Sequence, residues 1–207
     1  GSGKFTFPKS VYAVMDTLKY FIANKENALV VDFFAGSGTT MHAVNLLNSI
    51  DNGHRRCIMV TNNEVSADEA KALDEKGYRP GDKEWDRLGI ARYVTWPRTV
   101  CSIKGCNIDG KPLDGNYGCN VEQYTEIEGE IVNPETGKKI RGKVYKKEKE
   151  PAYPELADLK MSDGFKTNAV FFKLSFLDKT SVALGRQFKE LLPVLWMKGG
   201  AIGKCPA

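Results

Sequence analysis

The residues best suited to chemistry lie in a glycine-containing turn at residues 32–40, Asp-Phe-Phe-Ala-Gly-Ser-Gly-Thr-Thr. Gly36 and Gly38 permit backbone angles and close approaches that a side chain would block, so a ligand can touch the main chain there. Val30 and Val31 before the turn predict a strand, and the amphipathic pattern of residues 39–50 after it predicts a helix. A strand, a glycine turn and a helix in this order are typical of a nucleotide-type cofactor site.

Two common glycine loops fit this turn poorly. A phosphate-binding P-loop needs a lysine before its Ser or Thr, whereas Thr39 follows Gly38 directly. A dinucleotide-binding turn has three glycines at fixed offsets, and no third glycine follows Gly36 and Gly38 at the required spacing. The spacing therefore argues against a nucleoside triphosphate and against a dinucleotide.

The same turn closely resembles the first motif of S-adenosylmethionine-dependent DNA methyltransferases that act on exocyclic amino groups. The resemblance implies that the turn wraps the amino-acid end of the cofactor and that the acidic residue at the strand end, Asp32, helps to hold its ammonium group. The alternative is that Asp32 only caps a structural turn. The positions implied to bind cofactor are Asp32, Phe33, Phe34, Ala35, Gly36, Ser37, Gly38 and Thr39.

A second strand with an acidic end is expected beside the first, because the cofactor's ribose needs an acceptor for its two hydroxyls. The short apolar run at residues 57–60 predicts a buried parallel strand, and the polar residues 61–64 follow it. Glu64 is therefore the candidate for binding ribose, with Asn62 and Asn63 able to share that role. A purely local role for Glu64, at the start of the helix near Ser66, is the alternative.

A third element resembles the methyltransferase motif that precedes a helix and closes over the cofactor. Residues 3–10 end in Phe7-Pro8-Lys9-Ser10, where the family usually ends in Lys-Pro. The resemblance implies cofactor contacts from Phe7, Lys9 and Ser10, with Lys9 able to meet a carboxylate. Helically spaced apolar residues from 11 to 21 predict the helix that follows. Without the resemblance, a surface turn before a helix would explain this segment.

The order of the three motifs resembles the β class of adenine-type amino methyltransferases, which includes the modification subunits of type III restriction systems. In that class the catalytic tetrapeptide, Asp-Pro-Pro-Tyr or similar, lies N-terminal to all of these motifs. Such a tetrapeptide is not found in this sequence, so no catalytic residue is assigned. We expect this chain to be the C-terminal part of a longer enzyme, inactive alone, with Gly1-Ser2 as a cloning remnant.

Composition favours a cytoplasmic protein with one good core. The 207 residues are 42% hydrophobic, and no apolar run approaches the ~20 residues of a membrane span. The five cysteines form neither a disulfide framework nor a paired zinc motif, so free thiols are expected. With two histidines in the chain, no metal site is expected, and no membrane partner is expected.

Three regions are predicted from the change in composition: a cofactor-binding core at residues 1–104, a charged insertion at residues 105–153, and a C-terminal strand and helix at residues 154–207 that return to the core. Within the insertion, residues 126–132 and 140–145 predict a β-hairpin around a Pro/Gly turn. Its basic arm is a candidate for DNA phosphate contacts through Lys138, Lys139, Arg141 and Lys143. A solvated hairpin in which lysines pair with glutamates across the strands is slightly favoured over that interpretation.

The other predicted elements are helices at residues 66–77, 84–94 and 185–196 and a strand at residues 168–177. Arg92 and Arg98 are equally compatible with a phosphate-facing role and with a solvated helix face. The sequence from Asp163 into the predicted strand also resembles, more loosely, the tail of restriction-associated modification subunits. The central insertion is not covered by any resemblance.

Together these patterns predict an α/β protein with a Rossmann-like, three-layer methyltransferase fold, built on a largely parallel sheet and carrying a hairpin insertion. The resemblance implies S-adenosylmethionine as cofactor and methyl transfer to adenine N6 in double-stranded DNA by the full-length enzyme. A cytosine-N4 methyltransferase shares the same cofactor motif and stays open. So does a non-catalytic scaffold or nucleic-acid-binding module. A restriction subunit and a second copy of the chain are the other candidate partners.

Overall fold

The computed structural model describes residues 9–174, 176–201 and 205 and divides the chain into two compact units, residues 1–169 and residues 170–207. Helices and strands both occur, which confirms the predicted α/β composition. In the described part of the chain, no helix is both long enough and apolar enough to cross a bilayer.

The first unit is built around a parallel strand pair. Helix α1 spans Val11–Ile22, strand β1 spans Leu29–Asp32, helix α2 spans Thr39–Asp51 and strand β2 spans Arg56–Met59. Strand β1 pairs in parallel with β2, with Leu29 opposite Arg56 and Asp32 opposite Met59. The predicted neighbouring strand is confirmed, and α2 is the crossover that parallel pairing requires.

The core of this unit lies between α1, α2 and a segment that returns from far along the chain. Leu46 and Met15 are fully buried on the two helices, and Leu156 and Tyr117 pack against them from the distant segment. Tyr12 on α1 stacks on Tyr153 with ring centroids 5.1 Å apart. Residues on both sides of the hairpin therefore contribute to the core.

One buried arginine ties α1 to α2. The Arg55 guanidinium is fully buried and donates to the carbonyl oxygens of Ile22 and Ala23 at the end of α1. It also donates from both terminal nitrogens to the two carboxylate oxygens of Asp51, at 2.9 and 2.8 Å. Arg55 thus satisfies carbonyls that a helix end leaves without intrahelical partners.

The helical region after β2 differs in part from the prediction. Helix α3 at Ala67–Glu75 is confirmed, but the predicted helix over residues 84–94 is wrong as a single element. Helix α4 spans Lys83–Leu88, a π-helical turn spans Ala91–Thr95, and helix α5 spans Trp96–Lys104. The chain is extended at Gly89, where an added Cβ would lie 2.2 Å from the Asn63 side chain, so this packing separates α4 from the π turn.

The predicted β-hairpin is confirmed and is longer than expected. Strand β3 spans Asn120–Val132 and pairs antiparallel with β4, which spans Lys139–Pro151. The Asn133 side chain closes the turn by accepting hydrogen bonds from the amides of Glu135 and Thr136. Short 3₁₀ turns at Pro154–Leu156 and Met161–Asp163 lead back to the core.

The second unit contains helix α6 at Lys179–Ala183 and helix α7 at Phe188–Lys198. The predicted final helix is confirmed; it contains Pro193 and ends at Lys198, directly before Gly199. The predicted strand at residues 168–177 is wrong, because residues 168–174 and 176–177 have no regular secondary structure. An apolar run becomes a strand only when another strand supplies its hydrogen bonds, and none pairs with it in the described residues.

Candidate cofactor-binding site

The glycine turn lies between the end of β1 and the start of α2, as predicted. Gly36 and Gly38 adopt positive φ values of 50° and 79°, which side chains disfavour. The Ala35 amide donates to the Val60 carbonyl at 3.2 Å, and the Val60 amide donates to the Asp32 carbonyl at 2.7 Å. These two hydrogen bonds hold the turn against the carboxyl end of β2, so the two strand ends are adjacent.

Asp32 is engaged by its own turn. Its Oδ1 accepts a hydrogen bond from the Phe34 amide at 3.0 Å, and its Oδ2 accepts one from the Thr40 hydroxyl at 2.6 Å. These contacts correspond to the capping role that the sequence also allowed. A carboxylate has about four acceptor positions, so both oxygens retain capacity for a further donor. The ammonium-binding role of Asp32 stays a prediction.

The residues of the turn divide into an exposed and a buried set. Phe33 and Phe34 are 66% and 90% exposed, although aromatic side chains are usually covered. Ala35, Ser37 and Thr39 are buried, and the hydroxyls of Ser37 and Thr39 lie 3.1 Å apart. In the described part of the chain, the amides of Gly36 and Ser37 donate no hydrogen bond, so they can donate to a ligand.

Glu64 follows β2 and presents an unengaged carboxylate. Its side chain is exposed and forms no hydrogen bond or ion pair in the described residues, while its carbonyl accepts from the Ile90 amide at 2.8 Å. Asn63 is occupied instead, because its side chain donates to the Asp86 carbonyl and accepts from the Arg92 amide. Of these residues, Glu64 keeps the acceptor capacity that a ribose would need.

The N-terminal motif is described in part. Phe7 lies outside the described residues. Ser10 is the residue before α1, and its carbonyl accepts from the Val14 amide at 3.2 Å. Lys9 is exposed and forms no hydrogen bond or ion pair in the described part of the chain. The structure therefore does not bring Lys9 into hydrogen-bonding contact with the glycine turn.

The end of the π turn and the start of helix α5 supply residues at the glycine turn whose role sequence reasoning missed. The Thr95 hydroxyl donates to the Gly36 carbonyl, and Nη1 of Arg98 donates to Oγ of Ser37 at 2.9 Å. Thr99 faces the same turn, with its hydroxyl 3.5 Å from where a Cβ on Gly38 would lie. The spacing of three and four residues from Thr95 was the available sequence signal, because it places all three on one helical face.

The packing of Thr95 and α5 on the glycine turn predicts that Gly38 is more sensitive to alanine than another glycine of similar backbone angle. At Gly38 a Cβ would lie 3.2 Å from Cγ2 of Thr95, whereas nothing lies within 4 Å at Gly77, where φ is 85°. We expect Gly38→Ala to lower the free energy of unfolding by about 2–3 kcal/mol and Gly77→Ala by about 1 kcal/mol. Urea denaturation checks this. Equal losses would show that Thr95 and α5 do not constrain the glycine turn.

The basic arm of the hairpin is largely neutralised by the acidic arm. Lys139 pairs with Glu130 at 2.9 Å and Lys143 with Glu126 at 2.5 Å. Residues 120–151 contain seven acidic and seven basic side chains, so the hairpin as a whole carries no excess positive charge. The cross-strand pairing favours the solvated-hairpin interpretation. Phosphate contacts from Lys138, Lys139, Arg141 and Lys143 stay a prediction.

The first unit contains cavities away from the glycine turn. A cavity of about 870 Å³ lies along α3, α4 and the π turn, and a smaller one of about 310 Å³ lies beside α5; neither is lined by the predicted cofactor residues. All five cysteines are free, as predicted. The described residues contain no group of three or more His, Cys, Asp or Glu arranged to hold a metal.

Three known proteins are similar to parts of this chain. The Type II methyltransferase M.KpnI of Klebsiella pneumoniae is 44% identical over 63 residues, which is 30% of this chain. The Type III restriction-modification enzyme EcoPI Mod subunit of Escherichia phage P1 is 43% identical over 79 residues, or 38% of this chain. The StyLTI Mod subunit of Salmonella typhimurium is 43% identical over 61 residues, or 30% of this chain.

These similarities confirm the predicted resemblance to methyltransferases of restriction-modification systems. The matched segments cover 15%, 12% and 9% of the lengths of those three proteins, so the similarity extends over a small part of each. No protein-family profile matches the chain.

Proposed function

We propose that this chain is the S-adenosylmethionine-binding part of a DNA methyltransferase. The observation that carries the proposal is the glycine turn itself, held between two adjacent parallel strand ends with the unengaged Glu64 carboxylate following the second strand. The similarity to restriction-modification methyltransferases supports it. Ligands of open α/β sheets bind at the carboxyl ends of the strands, where this turn lies.

The residues present fit the cofactor chemically. The N–H groups of Gly36 and Ser37 are available to donate hydrogen bonds. Asp32 offers a negative charge for an ammonium group, and Glu64 offers acceptors for ribose hydroxyls. Phe33 and Phe34 offer exposed apolar surface beside the turn. When bound, S-adenosylmethionine would supply an electrophilic methyl group. The remaining cofactor positions in this proposal are Phe7, Ser10, Ala35, Gly38 and Thr39.

The sheet supports a larger Rossmann-like, three-layer fold in the full-length protein. Parallel sheets are normally covered on both faces, yet Leu29, Val31 and Ile58 are 49%, 45% and 49% exposed on one face of the β1–β2 pair. In the described residues, the two strands pair only with each other, so each has an unpaired edge. Further strands from the rest of the protein would pair with these edges, and further helices would cover the exposed face.

For the full-length protein we propose methylation of adenine N6 in double-stranded DNA, in the cytoplasm, with the catalytic tetrapeptide supplied outside this chain. Cytosine N4 is the alternative target. A restriction subunit and a second copy of the chain are the proposed protein partners. The three regions at residues 1–104, 105–153 and 154–207 remain our proposal for the domain organisation.

A non-catalytic scaffold is the second candidate function, and one observation favours it. Both carboxylate oxygens of Asp32 are engaged by the turn, as expected if the turn were purely structural. In that case the glycine turn would serve the packing of α5 rather than a ligand.

Equilibrium binding of S-adenosylmethionine to this chain, measured by calorimetry, separates the two functions. We expect saturable binding of one molecule per chain, weakened about tenfold by Glu64→Gln, because a carboxylate that accepts ribose hydroxyls forms charge-assisted hydrogen bonds. Glu75→Gln, an exposed control on α3, should leave the affinity unchanged. No binding by the unsubstituted chain at millimolar cofactor would contradict the proposal and favour the scaffold.

A further inference from the structure

Arg98 is a partly buried cation at the glycine turn, and no acidic side chain of the described residues pairs with it. Its one hydrogen bond in the described residues is the 2.9 Å contact from Nη1 to Oγ of Ser37, and it forms no ion pair there. A guanidinium has five N–H donors, so four are left. Partly buried arginines normally meet a carboxylate or phosphate, because an unpaired charge is costly to desolvate.

The groups around Arg98 do not compensate its charge. Burial, together with the charge of Arg98, lowers the pKa of His42 to about 4, so His42 is neutral at pH 7. Burial raises the pKa of Tyr117 to about 12, so its phenol is neutral as well. Burial also lowers the pKa of Arg98 itself, although a guanidinium stays charged. The site is therefore positive and lacks a counter-charge from these neighbours.

Two side chains of opposite charge thus contact the glycine turn. Asp32 contacts the turn at Phe34, and Arg98 contacts it at Ser37, three residues further on. An amino-acid group carries an ammonium and a carboxylate on one carbon atom. A carboxylate that binds a guanidinium can accept two parallel hydrogen bonds, which adds specificity as well as affinity.

We propose that Arg98 binds the carboxylate of the amino-acid end of S-adenosylmethionine, while Asp32 binds its ammonium group. This inference rests on the proposed function and adds a residue that the sequence motifs do not contain. It also differs from the sequence-based expectation, which gave the carboxylate to Lys9. Lys9 is exposed and forms no hydrogen bond or ion pair with the described residues, whereas Arg98 forms a hydrogen bond with Ser37 in the turn.

Two ligands that differ only in the carboxylate test the inference. Calorimetry on the full 207-residue chain would compare S-adenosylmethionine with its decarboxylated form, using the unsubstituted protein, Arg98→Gln and Lys9→Gln. We expect Arg98→Gln to weaken binding of S-adenosylmethionine about 10- to 100-fold and to change binding of the decarboxylated form less than about twofold. Lys9→Gln should leave both affinities within about twofold of the unsubstituted protein.

The outcomes separate the inference from the proposed function. Equal weakening of both ligands by Arg98→Gln would mean that Arg98 only supports the turn, and would overturn the inference. A selective loss with Lys9→Gln and none with Arg98→Gln would also overturn it, while the proposed function would stand. Failure of the unsubstituted chain to bind S-adenosylmethionine would refute the proposed function itself.

Discussion

Replacing Asp32 with asparagine is expected to weaken binding of S-adenosylmethionine about 100-fold. The substitution removes the charge that we assign to the cofactor's ammonium group and keeps the size of the side chain. The asparagine oxygen can still accept from the Phe34 amide, and the Thr40 hydroxyl can rotate to accept from the new amide group. The turn should therefore persist, and the loss can be measured by calorimetry at pH 7.

Two controls make this expectation specific. Binding of 5′-methylthioadenosine, which has no ammonium group, should change less than about threefold in Asp32→Asn, because it makes no contact with the carboxylate. The free energy of unfolding should fall by no more than about 1 kcal/mol, the typical net value of one hydrogen bond. If affinity for both ligands falls equally, Asp32 only caps the turn, and its assignment to the ammonium group is wrong.

Replacing Arg55 with methionine is expected to destabilise the first unit by about 3 kcal/mol, which is at the lower end of the cost of breaking a buried ion pair. The guanidinium is fully buried, while Asp51 is 33% exposed and can be solvated in part when its partner is lost. The substitution also removes the side-chain donors to the carbonyls of Ile22 and Ala23, although the Ile22 carbonyl keeps its hydrogen bond from the Lys25 amide. Urea denaturation followed by circular dichroism measures the loss.

Arg56 provides the matched control, because it is the next residue and its side chain is exposed. Arg56→Met should change stability by less than about 0.5 kcal/mol.

Arg55 also lowers the pKa of Asp51 through their hydrogen bonds. A lowered folded pKa means that this part of the stability is present above about pH 4 and is lost as pH falls through the folded pKa. The difference between the unsubstituted protein and Arg55→Met should therefore narrow in acid. A difference that is constant with pH would contradict the ion-pair explanation.

The sequence could predict the parts of the site that depend on local patterns. The apolar run ending at Asp32, the glycines at 36 and 38 and the helical pattern that follows were sufficient for the strand, the turn and α2. The second strand followed from its own apolar run. Two β-rich segments around a Pro/Gly turn predicted the hairpin. They did not predict its full length, because the added residues are largely polar and are held by cross-strand ion pairs.

Features that depend on contacts between distant residues could not be predicted in this way. The break at Gly89 depends on Asn63, which lies far away in the sequence. The position of Arg98 on Ser37 depends on how α5 packs across the turn, so the sequence left Arg98 between two interpretations. The predicted strand at residues 168–177 failed for the related reason that an apolar pattern does not supply a pairing strand.

The most direct test of the central claim, that the glycine turn binds S-adenosylmethionine, is an NMR titration of the uniformly ¹⁵N-labelled chain with the cofactor. We predict that the largest amide shifts fall on Gly36, Ser37 and Gly38, with smaller shifts at Glu64, which follows the second strand. Shifts concentrated at Tyr78 and Leu88, which line the 870 Å³ cavity, would place the ligand elsewhere and contradict the claim. An unchanged spectrum at millimolar cofactor would contradict it as well.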